Sequence, residues 1–115
     1  MTGPERRRFV RVRPLPDLPA DIRVAAQAPG IELMIADISL GGVGIYVKRG
    51  DGPKAGERVS LRMSLGKKDI AVDAEVRHVN SDGSLCGVEF VDVADDVHKV
   101  INQYVSELTE RGSVT

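Results

Sequence analysis

The sequence predicts a mainly β domain, with short antiparallel strands around one apolar core and a single C-terminal helix. Three observations carry this. Residues 59–65 and 70–77 alternate between apolar and polar side chains almost without interruption, as half-buried strands do. Turn pairs such as Pro29-Gly30 and Asp82-Gly83 separate the strand-like runs. After Asp92 the apolar spacing changes from two residues to three and four. Strands with one apolar face must bury it, and in a chain of 115 residues a closed or nearly closed barrel does so while removing free edges. A two-sheet sandwich is the alternative architecture.

Residues 1–19 read as an N-terminal arm, because Pro14, Pro16 and Pro19 oppose helix and favour extended chain. Residues 20–91 hold the strands and residues 92–110 the helix, all within one domain. Strands are expected at 22–26, at 31–38 after the Pro29-Gly30 turn, and at 43–47. Residues 49–56, with three glycines, a proline and mixed charges, form a loop. In the next strand Val59, Leu61, Met63 and Leu65 face inward, and Ser60, Arg62 and Ser64 outward. Residues 66–69 turn the chain. Ile70, Val72, Ala74 and Val76 then face inward, with Ala71, Asp73, Glu75 and Arg77 outside. Asp82-Gly83 marks a hairpin before Cys86, Val88 and Phe90, the inner face of the last strand. Val97, Val100, Ile101, Tyr104, Val105 and Leu108 share one helix face. Asp92, Asp95 and Asp96 suit a helix N-terminus. Arg111-Gly112 ends the helix, and residues 113–115 are expected to fray.

Composition narrows the function classes. Apolar residues make up 42% and charged residues 29%, a globular balance. Aromatics are only 3% and Trp is absent, so Val, Ile, Leu and Ala must build the core. Cys86, the single cysteine, reads as a small buried hydrophobe in a reducing compartment. No run approaches the roughly 20 apolar residues that span a bilayer, and no signal peptide is visible. A cytoplasmic protein without membrane insertion is therefore expected. Sixteen basic residues against seventeen acidic ones argue against a general nucleic-acid binder. His78, His98 and Cys86 lack metal-ligand spacing. With no nucleophile–base pair, paired acids or phosphate-cradling loop, neither an enzyme nor a cofactor is expected.

Charge is nevertheless uneven. Residues 1–14 hold five arginines and one acid, Glu5. The run RRRFVR, residues 6–11, places Arg7 and Arg11 on the same side of an extended chain. Arginine grips phosphate oxygens in pairs, takes the O6 and N7 edge of guanine, and stacks on flat rings. A solvated basic tail has the same composition. A second stretch, DISLGG at residues 37–42, sits between two strand-like runs. There Ile38 and Leu40 can point inward while Asp37 and Ser39 point outward. Gly41, Gly42 and Gly44 permit tight or positive-φ backbone and leave backbone amides accessible. Such a surface offers an acceptor for guanine N1 and N2 and a hydroxyl for phosphate or base. A plain turn capped by Asp37 and Ser39 is the structural alternative.

Taken together, the two stretches resemble the PilZ domain family of bacterial cyclic di-GMP receptors. That family carries R-x-x-x-R in an N-terminal arm and [D/N]-x-S-x-x-G on the barrel. The counterparts here are Arg7 to Arg11 and Asp37 to Gly42, and Gly87-Val88-Glu89-Phe90 resembles the family's G-x-x-F strand. The resemblance covers roughly residues 5–91, plus a C-terminal helix. It implies a PilZ-like barrel of about six antiparallel strands with a flexible arm over one face. It also implies that Arg7 and Arg11 take the guanine edges and phosphates. Asp37 and Ser39 would meet the ligand from the barrel, and Gly42 would hold the turn open. Arg6 would serve an intercalated ligand dimer. Arg77 or His78 are candidates to stack on guanine where no Trp is available, Arg77 being the one that alternation points outward.

By that resemblance the chain is a non-catalytic receptor that changes shape with cyclic di-GMP and signals to an effector protein. The loop at 49–56 and the outer helix face are candidate contact surfaces for it. The alternative is a PilZ-like interaction module that does not bind the nucleotide. A nucleic-acid-binding barrel is less consistent with the residues, since only Phe9, Tyr46, Phe90 and Tyr104 could stack on bases.

Overall fold

The structure is a computed structural model that describes residues 9–25 and 29–115. Its elements are β1 (Ala20–Val24), β2 (Glu32–Ile38), β3 (Gly42–Arg49), β4 (Arg58–Leu65), β5 (Lys68–Val79), β6 (Leu85–Val91) and α1 (Asp95–Glu110). All six strands form one antiparallel sheet in the order β1-β4-β5-β6-β3-β2. The two end strands, β1 and β2, lie against each other without a hydrogen-bonded ladder, so the sheet curls into a nearly closed barrel. A single curled sheet decides between the two expected architectures.

The inward residues behave as their alternation requires. Val59, Leu61, Met63 and Leu65 are buried on β4 while Ser60 and Arg62 are exposed. Val72, Ala74 and Val76 on β5, and Cys86, Val88 and Phe90 on β6, complete that wall. Burial pushes the Cys86 thiol above its ordinary pKa, as suits a core residue. Ile101, Tyr104, Val105 and Leu108 bury the apolar face of α1 in the same core.

Some boundaries differ from expectation. β1 begins two residues early, because its pairing with β4 starts at Ala20 opposite Leu65; of the expected strand 22–26, Ala26 lies outside the described residues. The β4–β5 turn is only Gly66-Lys67, with Gly66 at φ +65°, and Lys68 already pairs with Leu65. Asp82-Gly83 sits inside a five-residue loop, 80–84, where Asp82 accepts from the Ser84 backbone N–H at 2.9 Å. Asp92 does not serve the helix start. It lies before it at φ +50° and pairs with Arg58 at 3.3 Å.

Residues 113–115, expected to fray, are instead stitched to the arm. Arg13 N–H donates to Ser113 O at 2.9 Å, and Thr115 N–H to Arg11 O at 3.0 Å. Ser113 Oγ adds a bond to Arg13 O at 2.8 Å. On the other side Val12 exchanges both its backbone bonds with Ile38, each 2.9 Å. Its side chain is fully buried. Further along, Arg111 Nη2 lies 2.7 and 2.9 Å from the Asp17 oxygens and holds that carboxyl below its usual pKa. The Tyr104 hydroxyl donates to Leu18 O at 2.8 Å.

The Tyr104 bond gives a pH signature. Burial pushes the phenol up to about 12, above the ordinary value near 10 that the unfolded chain retains. The folded state keeps the proton longer, so this contribution is complete below about pH 10. It declines as the pH rises toward about 12. Tyr104→Phe should lose about 1 kcal/mol at neutral pH and flatten the stability decline above pH 10 relative to wild type, as read by urea unfolding across pH.

Candidate functional site

The described part of the site forms where the arm's base meets β3, β5 and β6. A cleft of about 240 Å³ is lined by Phe9, Arg11, Ser39, Gly41, Gly42, Val43, Arg77, His78, Gly87, Val88 and Glu89. Arg11 Nη1 stands 3.6 Å from Asp37 Oδ1, with side-chain exposures of 38% and 20%, so the pair is reachable from solvent. The structure thus brings the base of the arginine run together with the DISLGG turn. Arg6 and Arg7 lie outside the described residues.

Asp37 faces outward beside the inward Ile38, as alternation expects, and an irregularity lies just before it. The β2–β3 register shifts between Ile35 and Asp37. That shift lets both Ile35 and Ile38 enter the core, three residues apart. Gly44 is the residue opposite. A Cβ there would stand 2.8 Å from Asp37 Oδ1, so glycine makes room for the carboxylate.

Ser39 departs from the expected outward position: it is only 8% exposed. Its Oγ accepts from the backbone N–H groups of Gly41 and Gly42, each at 3.2 Å, and its own N–H donates to Gly42 O at 2.9 Å. The hydroxyl therefore ties off the glycine amides that the sequence suggested were accessible, while still lining the cleft. Nor do Gly41, Gly42 and Gly44 use positive φ. Close approach is what they supply. A Cβ on Gly42 would overlap the Val88 carbonyl oxygen, and one on Gly41 would stand 2.8 Å from the Phe9 ring.

A second register shift, between Val76 and His78 on β5, turns both Arg77 and His78 outward where alternation would expose only Arg77. Arg77 is gripped by Glu75 at 2.6 Å and by Glu89, whose Oε1 accepts from its Nε at 2.7 Å. The Glu89 hydrogen bonds, then the charges of Glu75 and Glu89, raise the guanidinium pKa above its already high ordinary value. The His78 ring lies over Gly87, where a Cβ would overlap it. Phe9, His78 and the held guanidinium of Arg77 thus offer three flat groups around one cleft. Phe9, which the sequence offered only as one of four aromatics able to stack on bases, stands 45% exposed at this cleft beside the glycines of the turn.

The charges of the described residues do not favour an anion on their own. Arg11 and Arg77 are set against Asp37, Glu75 and Glu89. Among the described residues no group of three His, Cys, Asp or Glu side chains could hold a metal ion, and no helix is long and apolar enough to cross a membrane.

A PilZ domain family model matches residues 5–107. No curated protein matches the chain. Among solved structures, the PilZ domain of Escherichia coli YcgR with c-di-GMP aligns at 18% identity and a TM-score of 0.71, covering 93% of this chain and 94% of that one. YcgR from Escherichia coli in complex with c-di-GMP aligns at 19% identity and a TM-score of 0.73, covering 93% and 47%. The Bacillus subtilis inhibitor of motility MotI/DgrA aligns at 22% identity and a TM-score of 0.70, covering 93% and 51%. The chain spans about half the length of MotI/DgrA and of the longer YcgR chain.

The glycine contacts separate two superficially equal substitutions. Gly42→Ala pushes a methyl group into backbone and should cost about 1–3 kcal/mol. Gly41→Ala meets only the Phe9 ring, which can swing aside, and should stay within about 0.5 kcal/mol. Urea unfolding of the two variants reads the difference.

Proposed function

The chain belongs to the PilZ domain family, and from that premise we propose that it is a receptor for cyclic di-GMP that binds through Arg6, Arg7, Arg11, Asp37, Ser39 and Gly42. The observation that carries this reading is the Arg11–Asp37 pair at 3.6 Å, which joins the arm to the DISLGG turn at the rim of one cleft. The ligand is a dianion with two guanines. Its phosphates compete with Asp37 for Arg11, and the carboxylate released from that pair accepts from guanine N1 and N2. Ser39 and Gly42 hold the turn close to β6, so that Asp37 and the cleft keep their relative positions.

The remaining positive charge comes from the arm. Arg11 and Arg77 alone are outweighed by three carboxylates, so a dianion needs Arg6 and Arg7. Arg77, already held by Glu75 and Glu89, serves as a flat surface for a base, beside His78 and Phe9. Binding draws the arm over the cleft, and the changed surface is what an effector protein reads. The role is that of a receptor and not of a catalyst, acting in the cytoplasm. One observation favours the other reading, an interaction module that leaves the nucleotide unbound: every described arginine of the cleft already has an acidic partner.

Isothermal titration with cyclic di-GMP, with GTP and a short RNA as controls, decides between them. Saturable binding of cyclic di-GMP alone is expected. Arg7→Ala and Arg11→Ala should each weaken it at least tenfold, the equivalent of about 1.5–3 kcal/mol for lost charge-assisted bonds, with the barrel still folded. Wild-type binding by either variant overturns the site assignment, and absence of heat from folded protein supports the interaction module.

A further inference from the structure

A second groove, of about 510 Å³, lies on the outer face of β1, β4 and β5 and shares no residue with the cleft. Its side chains fall into two rows fixed by register. Asp21, Ser64 and Asp69 are cross-strand neighbours in one row, and Arg23, Arg62 and Ala71 in the next. Like charges placed directly opposite on neighbouring strands destabilise a sheet. Yet Arg23 faces Arg62, and among the described residues neither has an ion-pair partner. The short side chains of Ser64 and Ala71 leave the hollow between the rows.

We propose that this groove docks an extended segment of a protein partner that carries an acidic and a basic side chain two residues apart. Charge complementarity carries the assignment. The cation row and the acid row are two residues apart along each strand, about 7 Å. Side chains at i and i+2 of an extended peptide share one face at that same spacing. An acid of the segment meets Arg23 and Arg62 together, and its base meets Asp21 and Asp69. A polyanion such as nucleic acid or an acidic membrane is disfavoured. Asp21, Asp69 and Asp73 surround the two arginines on this face, Asp73 being held by Ser60 Oγ at 2.9 Å. A second copy of the chain would set hollow against hollow. The site is independent of the nucleotide reading.

The test uses the full chain and two fluorescein-labelled peptides of equal composition, Thr-Glu-Val-Lys-Thr and Thr-Glu-Lys-Val-Thr, followed by anisotropy. The first puts both charges on one face and the second on opposite faces. The first should bind at least tenfold more tightly. Arg62→Gln and Asp21→Asn should each weaken it at least tenfold, and the melting temperature of Arg62→Gln should equal or exceed that of wild type, since a like-charge contact is removed. Equal binding of the two peptides, no saturation at millimolar concentration, or binding that ignores Arg62→Gln overturns the proposal. So does preferential binding of a short single-stranded DNA, or self-association through this face in sedimentation.

Discussion

The site depends on how one residue is held. Val12 is fully buried, and both its backbone groups bond to Ile38 at the end of β2. In extended chain successive residues present their backbone groups to opposite sides. Arg11 and Arg13 therefore turn theirs the other way, and residues 113–115 receive them. With Val12 pointing into the core, Arg11 must point out. Its carboxylate neighbour, Asp37, points out because Ile38 points in. The 3.6 Å approach of Arg11 and Asp37 follows from two adjacent apolar side chains, Val12 and Ile38, sharing one barrel interior.

Much of this architecture was legible in the sequence because period-two burial leaves a strong trace. The β4 and β5 inner faces, the last strand and the helical stripe all read directly from apolar spacing. What escaped was set by register. A bulge displaces one residue without changing composition, so the outward turn of His78 and the paired inward turn of Ile35 and Ile38 are invisible until strands are aligned. Pairing of residues 113–115 escaped for a related reason. A three-residue tail is too short to show a period, and its partner lies a hundred positions away.

Site chemistry was legible only as residue types. Arg11, Gly41 and Gly42 line one cleft, and Asp37 stands 3.6 Å from Arg11. Their individual tasks differed, because the same atoms can serve inward or outward bonds. Ser39 spends its oxygen on the glycine amides, and the glycines are small because β6, Asp37 and Phe9 crowd them, not because their backbone needs unusual angles. Arg77, expected outside, is outside, but two glutamates fix its plane, which changes it from a mobile charge to a rigid surface.

The pairing of residues 113–115 with the arm has an architectural consequence. Thr115 leaves the domain hydrogen-bonded to Arg11, at the rim of the cleft. Any polypeptide joined there, whether an affinity tag or a fused reporter, sets out beside Arg11, which lines the cleft. The tight Gly66-Lys67 turn opens instead between β4 and β5, next to the second groove. A probe inserted there would leave the cleft untouched. The fold thus gives the cleft and the groove separate points of attachment, one beside Thr115 and one at a hairpin.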